Sequence, residues 1–106
     1  MAVAYLIHVD PESGYADPDG MAQYSANVGA IVESFGGVYH LRHKRTRVLE
    51  GRWKPEFITL IEFPSMGKLL EFYESDEYRP WLEVRKRAGD GNIVVMESGA
   101  PDHRAG

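Results

Sequence analysis

An α+β fold, four antiparallel strands covered on one face by helices, is predicted by three features of this chain. Two segments alternate or are β-branched in the manner of strands, Val3–Val9 and Glu56–Phe63. One long segment carries apolar residues at steps of three and four, Met21, Tyr24, Val28, Ile31 and Phe35. The elements then succeed one another in the order strand, helix, strand, strand, helix, strand, the βαββαβ order of a ferredoxin-like layer.

The first strand places Val3, Tyr5, Ile7 and Val9 on one face and Ala4, Leu6 and His8 on the other. Asp10–Gly20 is rich in Asp, Pro and Gly and reads as a loop. Within it, Asp17-Pro18 offers a helix start, the carboxylate as cap and proline at the first helical position. Gly36-Gly37 ends that helix. Val38–His43 is a second strand, and Thr46–Glu50 is expected as its continuation or hairpin partner, with the turn near Lys44-Arg45. Gly51–Pro55 is a bend containing Trp53. After the strand Glu56–Phe63, Ser65 can cap a helix Met66–Glu74 whose inward face is expected to be Met66, Leu69, Leu70 and Tyr73. Ser75 caps a further segment to Ala88, broken by Pro80 into a turn and a helix with Arg85, Lys86 and Arg87 in its last turn. Gly89–Gly91 is a turn, Asn92–Glu97 the final strand, and the residues after it a polar tail. The expected organisation is one domain over 1–98 and a flexible tail over 99–106.

Composition bounds the function. At 106 residues, 43% apolar and 26% charged, the chain has the make-up of an ordinary globular domain. It has no apolar run long enough for a membrane span and no export signal, so cytoplasm is the expected location. With zero cysteines, thiolate metal sites, disulfides and cysteine nucleophiles are excluded. So small a chain buries more surface by pairing with a second copy, which makes a homodimer the natural partner. The net charge of −4 argues against nucleic acid, although six basic residues lie between Arg42 and Lys54 against one acid, Glu50. A solvated, aggregation-resistant hairpin is the ordinary explanation of that island.

Three blocks are shared with a known family: Leu49-Glu50-Gly51-Arg52-Trp53-Lys54-Pro55, Ile61-Glu62-Phe63-Pro64-Ser65, and Phe72-Tyr73-Glu74-Ser75-Asp76-Glu77-Tyr78-Arg79-Pro80. With Tyr24, Gly36-Gly37 and Arg85, they resemble domain-of-unknown-function family 1330, small bacterial proteins of the dimeric α/β barrel superfamily. The resemblance runs from about Tyr5 to Glu97 and implies a ferredoxin-like protomer whose sheet packs against a second copy to form a barrel. It implies no reaction. Arg42-His43-Lys44 stands where the family often has Arg-Gly-Gly, so a longer or bulged hairpin is expected.

Polar residues expected inside strands are the candidates for chemistry. His8, His40 and Glu62 could exchange protons as general acid and base, the histidines titrating near neutrality and the carboxylate raised by burial. Arg42, which shares a face of the second strand with Val38 and His40, and Arg85 could steady an anion. Trp53, Tyr73 and Tyr78 supply flat walls with polar handles for an aromatic or carbonyl-bearing ligand. The plainer alternatives are a Glu62 ion pair, a satisfied core histidine, and aromatic residues filling a core or dimer interface. No metal site is expected, because His40 and His43 would point to opposite faces of a strand, and no cofactor motif is present. Two functions remain open: a cofactor-independent enzyme of isomerase, cyclase or monooxygenase type acting on a small carbonyl-bearing or aromatic metabolite, and a non-catalytic homodimer binding a metabolite or protein.

Overall fold

The computed structural model describes residues 2–99. Its elements are β1 (Ala4–Val9), α1 (Pro18–Ser34), β2 (Val38–Arg45), β3 (Phe57–Phe63), α2 (Met66–Tyr73), α3 (Arg79–Ala88) and β4 (Asn92–Glu97). The strands form one antiparallel sheet in the order β2-β3-β1-β4, the ferredoxin-like arrangement. Apart from Gly99, the expected tail lies outside the described residues. Among the described residues no helix is long and apolar enough to cross a membrane.

Local chemistry accounts for the element ends. The Asp17 carboxylate accepts from the Gly20 amide, with Pro18 opening α1. Gly36 takes a φ of +85°, which glycine adopts without penalty, and releases the chain toward β2. The Ser65 hydroxyl accepts from the Lys68 amide to cap α2. The Ser75 hydroxyl accepts from the Tyr78 amide, so the turn before α3 is built as the Ser75 and Pro80 signals predict.

Registers sort the side chains into two faces. On the helix side Ala4, Leu6 and His8 lie opposite Phe63, Ile61 and Thr59. With Val28, Val32, Leu69, Phe72 and Tyr78 from the helices, the apolar members of that face form the core. The other face carries Tyr5, Ile7, Leu60, Glu62, Val94 and Met96 and is left uncovered by α1, α2 and α3.

Three sequence expectations need correction. Residues 46–56 form no strand: the ladder closes where the Thr46 amide donates to the Glu56 carbonyl, and β2 pairs directly with β3. In α2 the buried residues are Leu69 and Phe72, while Leu70 is 43% exposed. This helix is apolar at 66, 69, 70, 72 and 73, so its pattern alone leaves the buried side undetermined. Finally, Arg42 does not share a face with His40. The β2–β3 register shifts between Tyr39 and Leu41 and again between Leu41 and Lys44, and these bulges turn Arg42 to the helix side.

Candidate functional site

A cavity of about 380 Å³ opens between the sheet and α1. Its walls are apolar over much of their extent (Leu6, Val28, Ile61, Phe72), and its polar groups converge from β1, β2, β3 and the loop after β1. Such a space is the size and character of a small-molecule site.

His8 reaches it from β1, a central strand, flanked by Thr59 of β3 and Ile93 of β4. Tyr15 is brought over it by the loop 10–17, which is fastened to the end of α3 where the Ala16 amide donates to the Ala88 carbonyl (2.7 Å). Gly89 lets that loop close: a Cβ there would meet the Tyr15 ring at 3.0 Å. The Tyr15 hydroxyl donates to Asp10 Oδ1 (2.9 Å) and also lies 3.1 Å from His8 Nε2. Tyr15 has one proton and spends it on Asp10, so the His8 contact requires Nε2–H donating to the Tyr15 oxygen. The basic nitrogen of His8 is then Nδ1, which has no hydrogen-bond partner among the described residues.

Asp10 extends the chain outward. Its Oδ2 lies 3.1 Å from Nδ1 of His43, whose side chain is 60% exposed. His43 is held by three features that strand periodicity does not contain. It has a φ of +54°, its amide donates to Thr59 Oγ1, and its ring stacks on Phe57 at 4.2 Å and 8°. A non-glycine residue in this left-handed region costs about 1–2 kcal/mol, which the flanking bulge and stack offset. The result is a continuous line from the cavity to solvent: His8, Tyr15, Asp10, His43.

Burial, and after it the positive charge of Arg85, depress His8 to about 4, against the opposing pull of Asp10. His8 is therefore neutral at pH 7. Burial and the hydrogen bond to Asp10 raise Tyr15 well above the usual phenol range, so it stays protonated. Burial likewise raises Tyr24, whose hydroxyl shares a 2.7 Å hydrogen bond with that of Tyr78; both rings line the cavity. At the rim, the Arg42 guanidinium stacks over Tyr39 at 4.5 Å and donates to the Ser25 carbonyl.

The candidates named from the sequence thus separate. His8, Arg42 and Tyr78 border the cavity, while Arg85 is 4% exposed, is not part of the lining, and interacts electrostatically with Tyr78 and Tyr24, which are. Tyr73 packs against the Tyr78 ring at 5.9 Å without lining the space. Trp53 is 57% exposed and borders a separate shallow depression with Glu12 and Asp90. His40 and Glu62 lie on the uncovered face, paired at 2.9 Å. Asp10, Tyr15 and Thr59 are absent from the sequence candidates, Tyr24 enters them only through the helix stripe and the family resemblance, and His43 only as a rejected metal ligand. His8-x-Asp10, with same-side positions at the end of an inward-facing strand, was a signal available for one of them. Among the described residues no group of three or more potential ligands is arranged to hold a metal ion.

A family model described as a domain of unknown function (DUF1330) matches residues 4–99. A protein of unknown function from Rhodopseudomonas palustris superposes with a TM-score of 0.73 at 16% identity, over 94% of this chain and 85% of that one. A dimeric ferredoxin-like protein of unknown function from Jannaschia sp. gives 0.64 at 16% identity, over 94% and 100%. A cofactor-independent oxygenase from Streptomyces nogalater gives 0.59 at 8% identity, over 98% of each chain. At these identities the likeness is one of fold. A search of curated proteins finds no match.

Proposed function

Since this chain belongs to the DUF1330 family, whose description assigns no reaction, we propose from its cavity a cofactor-independent acid–base enzyme. Its substrate is a small, flat metabolite bearing an enolisable carbonyl or a phenolic hydroxyl. The observation that carries this reading is the line from His8 through Tyr15 to Asp10 by hydrogen bonds, and from Asp10 to His43 by a 3.1 Å contact.

The line answers an energetic difficulty. Protonating a histidine of pKa about 4 at pH 7 costs about 4 kcal/mol, so His8 alone is a weak base. When Nδ1 takes a proton from the substrate, Nε2 can release one to Tyr15, which passes its own to the Asp10 carboxylate beside the exposed His43 ring. No intermediate phenolate is needed, and no positive charge forms on the buried imidazole. Arg42 stands at the rim, where it can attract and orient an anionic or carbonyl-bearing ligand. The fold neighbour from Streptomyces nogalater is a cofactor-independent oxygenase, which supports a protein of this fold acting without a cofactor.

Exchange of the α-protons of β-tetralone in D2O, followed by proton NMR, tests the reading. The protein is expected to accelerate exchange over buffer, and Asp10→Asn to slow it about tenfold by interrupting the line, less than the loss of an acid–base group itself. Exchange at the buffer rate in the presence of the wild-type protein would remove the enzymatic reading; the ketone bound but unaltered would then favour the metabolite-binding module.

The assembly proposed with this activity is a homodimer through the uncovered sheet face. Val38, Leu41, Val94 and Met96 are 46–55% exposed there, an apolar surface broken by the His40–Glu62 pair. The Jannaschia neighbour of the same fold is dimeric. Sedimentation equilibrium is expected to give the mass of two chains, and Val94→Glu that of one. A single-chain mass for the wild type at all concentrations would end the dimer proposal.

A further inference from the structure

Arg85 is the unexplained charge in this molecule. It is 4% exposed, its Nε has no hydrogen-bond partner, and no carboxylate lies within ion-pair distance of it among the described residues. A buried guanidinium without a counter-charge is costly. Burial opposes its charge, and the titratable groups that favour it are tyrosine hydroxyls, Tyr78 first, then Tyr24 and Tyr73. Tyr24 and Tyr78 are joined at 2.7 Å, and both line the cavity in front of it.

We propose that Arg85, Tyr78 and Tyr24 form an anion site for an oxygen of the ligand, with Tyr24 presenting the donor and the buried guanidinium supplying the charge behind it. A guanidinium only donates, and the group beside it able to accept is the Tyr78 hydroxyl oxygen. Tyr78 then gives its own proton to the Tyr24 oxygen, and the Tyr24 proton is left for the cavity. Each donor in such a series is polarised by the one before it, so the last is a stronger donor than an isolated phenol. The oxygen it meets is the enolate or phenolate of the ligand, which supplies the negative charge that Arg85 lacks. The positive charge of Arg85 also lowers His8, a residue of the cavity lining, which agrees with this placement.

The inference deepens the acid–base reading, and its test needs no turnover. The probe is para-nitrophenol, whose phenolate is yellow and whose phenol is not. Bound to the wild-type protein it is expected to ionise about tenfold more readily than in buffer, read by absorbance at fixed pH with saturating protein. Arg85→Met and Tyr24→Phe are each expected to abolish that enhancement; Tyr24→Phe deletes one hydroxyl and keeps the ring, which covers the case in which Arg85→Met does not fold. Failure of the wild type to bind the probe, ionisation of the bound probe equal to that in buffer, or an enhancement kept in Tyr24→Phe would each overturn the anion site. Enhanced ionisation in a protein that exchanges no α-protons of β-tetralone would leave this site standing and remove the acid–base reading instead.

Discussion

Replacing His8 by Gln is expected to lower the catalysed exchange of β-tetralone by about a hundred- to ten-thousandfold, the range for a general acid–base group. Gln is the informative substitution. Its amide nitrogen can occupy the place of Nε2 and still donate to Tyr15, so the loop over the cavity stays fastened while the basic Nδ1 is gone. A variant that keeps more than a tenth of the wild-type rate would assign the chemistry to another group. The same substitution has a second readout in stability. His8 takes up its proton near pH 6.5 when unfolded but only near 4 when folded. Below pH 6.5 the unfolded state binds more protons, so the folded state loses ground as pH falls, by a total of about 3 kcal/mol once pH 4 is passed. Above pH 6.5 the group contributes no slope. Urea unfolding of wild type and His8→Gln between pH 7 and 4 is expected to show the wild type falling more steeply. Parallel slopes would mean that His8 is not held neutral by its surroundings.

Phe72→Ala is expected to cost about 3–5 kcal/mol, the usual range for deleting a buried aromatic ring. Phe72 is 2% exposed and its ring meets those of Tyr78 (4.5 Å), Phe63 (5.3 Å) and Phe35 (6.1 Å), so it ties α2 to β3, α3 and the end of α1. It also forms part of the cavity wall, so the space left by its removal joins the existing one and cannot collapse without moving Tyr78. Domains of this size are stable by only about 5–15 kcal/mol, so the loss consumes a large share of the total. Leu70→Ala, one turn face away and 43% exposed, is expected to cost less than about 1 kcal/mol. Equal costs for the two, measured by chemical denaturation, would mean that α2 packs by its other side.

The two predictions rest on different kinds of legibility. The element order, the caps at Asp17, Ser65 and Ser75 and the strand alternation of β1 and β3 were determined by the sequence, because each depends on neighbours a few residues away. Periodicity likewise placed His8 on the side of Ala4 and Leu6, the side the helices cover. Which residues meet His8 was decided by the tertiary structure. Asp10 and Tyr15 arrive through a loop held by the end of α3, some seventy residues further along. His43 and Arg42 arrive through bulges that depend on pairing with β3, and those bulges part Arg42 from His40. Such contacts follow from loop closure and strand register, which depend on distant segments and leave no local period to read.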